Sequence, residues 1–417
     1  MPQVLKRTQR RELTLTRSFA NAVKSKISSP FTRSPKHERR PSINSVHNWH
    51  AHQHDRDIQL SMRARPYPAY TKLHFIHLLP AEILAQVFIS GSEDTPLFPL
   101  TVSHVCSSWR AVALRTPSLW RRITVLQSEE LRRLWIYRAK ACSLDVQLIP
   151  HLPPIIGHFH QPLDYHLVQW CMHSVARFVP QWRSLDIVFP TYAPYLWNAA
   201  LSGCCGGSSK VCAPLLEELR LVYPSNDDTK EFCLFNGYSP RLRRTTIEGI
   251  RLAWLPSLFQ NLTHLDYTHH GFTSGPAAVH EVLCMLQTSC RLVELRLAFP
   301  SKAVNTQRLQ VQPSQRLSLV FLRKLCFSAH GGSVAPELIH LVNCISTPSL
   351  HTLRLSDPSC RPAPFSAIRI FFATFEWPRT LRVMRIEHGW YDYNLASQVL
   401  QRLPRLRQEI ALSHPRR

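Results

Sequence analysis

The residues that could catalyse a reaction or bind a metal lack the spacing that either role requires. No Cys-x-x-Cys pair occurs among the 12 cysteines. Their one cluster is Cys204, Cys205 and Cys212, in a glycine- and serine-rich stretch without a nearby histidine pair. A structural zinc needs about four closely spaced sulfur or imidazole ligands, so we predict a flexible loop and no metal there. The adjacent His269 and His270 have no positioned nucleophile.

Sequence signatures of the common enzyme classes do not occur. We find no Walker loop, dinucleotide-binding glycine pattern, nucleophile elbow or His-Glu-x-x-His motif. Glycine is scarce, at 12 of 417 residues, whereas loops that cradle phosphate need several. We therefore expect a protein that is not an enzyme and binds no cofactor.

Positive charge is concentrated near the amino terminus. The chain has a formal net charge of +23, and residues 1–72 contain fifteen Lys and Arg against four Asp and Glu. Because this segment lacks sustained apolar periodicity, we predict a disordered basic tail over residues 1–70. Such a tail alone would bind nucleic acid weakly and without specificity. No zinc finger, RNA-recognition core or basic helix accompanies it, so nucleic acid is the less favoured partner.

Location in the cell is indicated by what the sequence lacks. No apolar run approaches the ~18 residues that span a bilayer, and the first residues do not form a signal peptide. We expect no membrane contact and reduced cysteines. Basic clusters such as Lys36 to Arg40 are compatible with nuclear import. The predicted location is therefore cytoplasmic, nuclear or both.

Residues 71–125 are predicted to form three short helices. Pro80 and Glu82 suit a first helical turn, and the apolar residues that follow recur on one helical face. The stretch GSEDTP is expected to break this helix. A second helix follows from Leu100 to Ala113, and a third segment begins at Leu119. Two tryptophans in so small a unit indicate an apolar surface that a partner covers.

Four short motifs follow one another in this segment: Leu-Pro, then Glu-Ile-Leu, then Val-Cys-x-x-Trp, and finally Leu-Trp. In these motifs the segment resembles the F-box family, and in HVCSSWRAVALRTPSLW it is most similar to the large F-box families of mushroom-forming fungi. The resemblance implies docking on a Skp-family linker and, through it, on a cullin-RING ubiquitin ligase. The residues that the resemblance assigns to docking are Leu79, Pro80, Ile83, Leu84, Val87, Phe88, Val105, Cys106, Trp109, Leu119 and Trp120.

Residues 126–417 are predicted to form an irregular, leucine-rich-repeat-like α/β solenoid. A strand is expected around residues 144–148, and the pattern Leu-x-x-Leu-x-Leu then recurs eight times in conservative forms. The motifs start at residues 182, 216, 242, 262, 292, 322, 350 and 381, at separations typical of such repeats. The asparagine usual after the motif is missing, and proline takes its place in four repeats. Because proline ends strands, we expect variable helices between them.

The fifth motif position is predicted to face the open concave side of the sheet. Arginine occupies half of these eight positions, at Arg220, Arg296, Arg354 and Arg385. Guanidinium groups bind carboxylate and phosphate in a bidentate manner, which favours an acidic or phosphorylated protein substrate. The alternatives left open are a basic nucleic-acid-binding protein and a repeat scaffold that assembles no ligase.

Overall fold

The computed structural model describes residues 75–150, 164–193, 195–205, 211–300, 316–360 and 363–411. The predicted basic tail over residues 1–70 lies outside these ranges. The chain divides into two units, residues 1–78 and 79–417. The described part of the first unit is a 3-10 turn, Phe75–Leu78. The helices and strands named from here on all belong to the second unit.

The second unit begins with three short helices, α1 (Ala81–Asp94), α2 (Phe98–Ser103) and α3 (Ser107–Arg115). The third predicted segment, which begins at Leu119, lies in a 3-10 turn at Pro117–Trp120. Pro80 has an extended backbone just before α1, and its carbonyl accepts the first helical hydrogen bond from the Leu84 amide at 3.1 Å. Proline is well suited to this position because a helix start leaves amide groups unpaired in any case.

Helix α1 is longer than predicted. The stretch GSEDTP ends the helix, as predicted, but the helix continues into this stretch as far as Asp94. Gly91 leaves room for the Phe98 ring, since a Cβ atom there would lie 2.5 Å from its Cζ. The Arg122 guanidinium donates hydrogen bonds to the Ser92 and Glu93 carbonyls at 3.0 and 2.6 Å. These bonds satisfy carbonyl groups that the helix end would otherwise leave unpaired.

The predicted second helix is in fact two helices, because Cys106 interrupts it. Cys106 has an extended backbone and is the N-cap of α3, where its sulfur accepts a bond from the Trp109 amide at 3.5 Å. The Arg110 Nε donates to the Ser103 carbonyl at 2.8 Å and ties the end of α2 to α3. Apolar periodicity alone does not show this break, because α2 and α3 both place apolar residues towards the same small core.

Fifteen strands follow in the described residues, and eleven of them form one parallel sheet. In this sheet the eleven strands are ordered β1-β2-β3-β4-β6-β8-β9-β11-β13-β14-β15. Each strand therefore pairs with the sheet strands that come before and after it along the chain, while the short strands β5, β7, β10 and β12 lie outside this sheet. The strands are β1 (Arg122–Thr124), β2 (Leu144–Leu148), β3 (Trp182–Val188), β4 (Glu218–Val222), β5 (Glu231–Phe232), β6 (Arg244–Glu248), β7 (Arg251–Leu252), β8 (His264–Thr268), β9 (Glu294–Phe299), β10 (Leu317–Ser318), β11 (Lys324–Ala329), β12 (Ile345–Ser346), β13 (Thr352–Ser356), β14 (Val383–Glu387) and β15 (Arg407–Ala411). The short strands pair as β5 with β7 and β10 with β12.

The eight predicted motifs are confirmed as strands in register. Their fourth positions align across the sheet at Leu185, Leu219, Thr245, Leu265, Leu295, Leu325, Leu353 and Met384. All eight side chains are at most 3% exposed. Each strand thus buries its apolar motif residues against the helix layer, and the next repeat continues that core.

The segments between strands vary in length, as the proline pattern predicts. The helices are α4 (Glu129–Ala139), α5 (Tyr165–Ala176), α6 (Leu196–Leu201), α7 (Pro256–Phe259), α8 (Gly275–Thr288), α9 (Pro336–Cys344), α10 (Ile368–Thr374) and α11 (Tyr393–Arg402). They range from 4 residues in α7 to 14 in α8. No helix in the described part of the chain is long and apolar enough to cross a membrane.

The helical segment and the sheet share one core. Strand β1 lies before residue 126, where the repeat region was predicted to begin, and it pairs in parallel with β2. Trp120 is fully buried, 5.8 Å from the Trp135 ring of α4, and its Nε1 donates to the Ala113 carbonyl at 2.9 Å. The short helices are therefore anchored to the first repeat through both backbone and side chains.

Candidate partner-binding surfaces

The residues predicted to dock a partner divide into exposed and buried groups. Ile83 and Val87 lie one turn apart on α1 and are 50% and 52% exposed. Leu79 and Val105 are also exposed apolar side chains, and Pro80 is exposed beside them in sequence. An amphipathic helix normally turns such residues inward, so their exposure marks this face of α1 as a candidate docking surface.

The other predicted docking residues hold the helices together. Leu84, Phe88, Leu119 and Trp120 are at most 5% exposed. The Phe88 ring lies 5.0 Å from that of Trp109, which is half-buried. Their substitution therefore disturbs the fold before it removes a contact surface.

Two further residues refine the docking prediction. Cys106 is the half-buried N-cap of α3, so its observed contacts are structural. Leu114, near the end of α3, is 39% exposed and was not among the predicted residues. The family pattern does not include it, and only the exposed face of α3 reveals it.

The four predicted substrate-binding arginines lie at equivalent positions of their strands. Arg220, Arg296, Arg354 and Arg385 occupy the register between the two inward-facing apolar residues of β4, β9, β13 and β14. Their side chains are 41–54% exposed. The predicted row therefore exists geometrically, on the face of the sheet opposite the buried motif residues.

Each of these arginines already has a carboxylate partner on a neighbouring strand. Arg220 pairs with Asp186 at 3.4 Å and Arg296 with Asp266 at 3.3 Å. Arg354 pairs with Glu387 at 2.6 Å, and Arg385 with Glu409 at 2.5 Å. The row is thus an array of ion pairs with little excess positive charge. The first two pairs could be found by aligning the motifs, whereas Glu409 lies in β15, which has no complete motif.

The acidic members of this array differ in electrostatic environment. Burial raises the pKa of Asp186 and of Asp266 above the usual range, although their arginine partners act in the opposite direction. Burial also acts to raise the pKa of Glu387, but hydrogen bonds from Ser356 and Arg354 outweigh it and lower that pKa. The pair of Arg354 and Glu387 is therefore held more firmly than the longer pairs of Arg220 and Arg296.

The structure brings together His269, His270 and Glu281, which the sequence did not connect. The Glu281 Oε2 lies 3.4 Å from the His269 Nε2 and 3.2 Å from the His270 Nε2. It also accepts a 2.7 Å hydrogen bond from the Thr273 hydroxyl. The two histidines follow β8 and are nearly fully buried, while Glu281 reaches them from α8.

The hydrogen bonds of His269 and His270 favour ring tautomers that disfavour metal binding. The Nδ1 atoms of His269 and His270 accept bonds from the Gly271 and Phe272 amides, at 3.1 and 3.0 Å. In neutral rings the proton is therefore on Nε2, directed towards Glu281. Among the described residues these three have candidate metal ligand atoms within 4.8 Å of one another. A metal bound at Nε2 would move the proton to Nδ1, against a backbone donor.

This cluster predicts a loss of stability in mild acid. Burial, with His270 nearby, lowers the pKa of His269 from 6.5 to about 4. The unfolded chain then binds more protons than the folded chain between these values, so the free energy of unfolding falls as the pH drops from 6.5 towards 4. The slope is up to about 1.4 kcal/mol per pH unit from this one group. Urea titrations at several pH values would measure it.

The control for this prediction is His269→Gln, which removes the titrating ring. Its unfolding free energy should change less steeply with pH than that of the wild-type chain in this window. Parallel pH profiles of the two proteins would contradict the prediction, because they would show that the pKa of His269 is the same in the folded and the unfolded chain.

Comparisons with known proteins identify the helical part of the chain. Residues 76–125 match the family described as F-box-like. No curated protein matches the chain. Among solved structures, the chain is similar to a leucine-rich-repeat protein of Leptospira interrogans, with 13% identity over 66% of this chain and 68% of that one and a TM-score of 0.24. The narrower likeness to families of mushroom-forming fungi receives no support from these comparisons.

The leucine-rich-repeat assignment therefore depends on strand order, register and the recurring motif. An exposed apolar face on α1, a parallel sheet with one strand added per repeat and the family match together define the architecture. Residues 76–125 form an F-box-like domain, and a leucine-rich-repeat-like domain built on a parallel sheet follows it.

Proposed function

We propose that this chain is the substrate-recognition adaptor of a Skp-cullin-F-box type ubiquitin ligase. In this proposal the exposed apolar residues of the F-box-like domain dock on a Skp-family linker, and the repeat domain binds a protein substrate. The chain itself has no catalytic role, since ubiquitin transfer belongs to the RING subunit and its E2 partner.

The observation that carries the proposal is the exposure of Ile83 and Val87. The same helix buries Leu84 and Phe88, so α1 has apolar side chains on its exposed face as well as on its buried face. Covering the exposed half of one such side chain contributes about 0.8–1.5 kcal/mol to binding. An F-box-like domain with this surface fits a partner that is itself largely apolar at the contact.

The test is co-purification of the full chain with a Skp-family linker of the same organism. We expect a one-to-one complex that survives gel filtration. A well-folded chain that elutes without the linker would contradict the proposal. If the linker is retained, recovery of the cullin and RING subunits from cells separates a ligase adaptor from a scaffold that binds the linker alone.

A further inference from the structure

A second row of arginines lies at the amino-terminal ends of the strands. The residue after the first leucine of each motif is joined through its backbone to the next repeat. The Arg243 carbonyl accepts bonds from the Thr263 and His264 amides, and the Arg323 carbonyl accepts them from His351 and Thr352. The His351 carbonyl in turn bonds the amide of Arg382. Residues that begin successive strands are thus stacked along one edge of the sheet.

Seven arginines at this edge are exposed, and we call them the amino-edge arginines. Each lies within two residues of the buried leucine that precedes its strand. They are Arg241, Arg243, Arg291, Arg323, Arg379, Arg382 and Arg405. Arg243 donates to the Asn261 carbonyl at 3.0 Å, and Arg291 to its Oδ1 at 3.4 Å. Across the described ranges, no Asp or Glu carboxylate lies within 4.0 Å of the guanidinium group of any of the seven.

The amino-edge arginines differ from Arg220, Arg296, Arg354 and Arg385 in that their positive charge is not neutralised by a carboxylate partner. Two acidic residues near this edge are already paired, since Glu294 contacts Lys324 at 3.3 Å and Glu376 contacts Arg316 at 2.6 Å. Glu217, at the equivalent position in the repeat before Arg243, forms no ion pair among the described residues. The amino-edge arginines therefore keep their guanidinium donors for a partner. Arginine is well suited to this role because its planar group binds a carboxylate through two parallel hydrogen bonds.

The length of the edge fits an extended peptide. Adjacent strands are ~4.8 Å apart, and six such steps separate β6 from β15, so the row spans about 29 Å. An extended chain covers that distance with about nine residues at ~3.4 Å each. Val320 and Phe321 lie directly before the β11 motif and are 47% and 57% exposed. Arginine beside exposed aromatic and aliphatic side chains is the composition of a protein interface.

We propose that the amino edge binds an extended acidic segment of a protein partner. Charge excludes two other occupants, because the tail of this chain and a second copy of it are both strongly basic. We take this partner to be the recruited substrate, so the proposal rests on the adaptor function. The acidic segment then binds at the amino edge and not at the row of Arg220, Arg296, Arg354 and Arg385, which are already paired.

The experiment compares two triple variants of the full chain that lose the same charge. One is Arg323→Gln, Arg379→Gln and Arg382→Gln at the edge, and the other is Arg220→Gln, Arg296→Gln and Arg385→Gln on the concave face. The probe is a fluorescein-labelled, glutamate-rich peptide of about twelve residues, followed by anisotropy at roughly physiological salt, where screening limits effects beyond ~8 Å. The edge triple should weaken binding about tenfold and the concave triple less than about threefold.

Other results would overturn the inference. Equal losses of peptide affinity in the two triple variants would show that the peptide binds through the overall positive charge of the chain, including its tail. Tighter binding of a single-stranded oligonucleotide of equal charge, lost in the edge triple, would make the edge a nucleic-acid site. Linker retention, measured on the same proteins, should be unchanged in the edge triple. If the wild-type chain fails to retain the linker yet the edge effect persists, the adaptor function fails and the acidic-segment site stands.

Discussion

Replacing both Ile83 and Val87 with glutamate is expected to abolish linker retention while leaving the chain folded. Each side chain is about half exposed on α1, and glutamate is a better helix former than either residue. A docked partner would lose about 1.5–3 kcal/mol of apolar burial, equivalent to a roughly 10- to 150-fold weaker complex. Burial of two carboxylates at the contact would weaken it further. Pull-down with the purified linker, together with thermal unfolding, measures both effects.

A matched control is available in the repeat domain. Ile370 of α10 and Leu400 of α11 are also exposed aliphatic residues on helices. The double substitution Ile370→Glu and Leu400→Glu should retain the linker. If the α1 variant still binds it as the wild-type chain does, the exposed face of α1 is not the docking surface.

Truncating Trp120 to alanine is expected to destabilise the chain by about 3–5 kcal/mol. Trp120 is fully buried between α3 and α4, where it contacts the Trp135 ring. The Arg138 guanidinium lies 4.3 Å from its ring centre, and the indole Nε1 donates to the Ala113 carbonyl. The substitution removes all of these contacts and leaves a cavity. Urea unfolding followed by far-ultraviolet circular dichroism would report the loss.

The same substitution at Trp170, which is 51% exposed on α5, is the control. Trp170 lies near the Arg132 guanidinium, and losing that contact costs about 1 kcal/mol or less. A Trp120→Ala variant of normal stability that fails to bind the linker would contradict this role. Trp120 would then be a docking residue, as its place in the family pattern implies.

Much of the repeat architecture can be predicted from the sequence, because each strand repeats the same local pattern. The motif starting at Leu350 and its equivalents give the strands, their register and their buried side chains. Strands β1 and β15 cannot be predicted from this motif. Strand β1 has three residues, and β15 follows Leu406 without a complete motif. Both are defined by backbone pairing with a neighbouring strand, which local periodicity does not reveal.

The candidate surfaces are less predictable because exposure and pairing depend on tertiary contacts. The family pattern groups Ile83 with Leu84, yet one is exposed and the other buried. The four predicted arginines share a register position across the sheet, but their charge is largely compensated by acids such as Asp266 from adjacent strands. The cluster of His269 with Glu281 needs α8 to pack beside the end of β8, a contact that no spacing in the sequence encodes.

Strand β1 has a consequence for how this solenoid avoids aggregation. A parallel sheet ends in a row of unpaired backbone donors and acceptors, and such rows recruit strands from other molecules. Strand β1 covers that row on β2, and it comes from the F-box-like domain. The F-box-like domain therefore caps the amino-terminal end of the repeat sheet with a strand of only three residues. A fragment that begins at residue 126 would expose the full edge of β2, so we expect it to aggregate more readily than the whole chain.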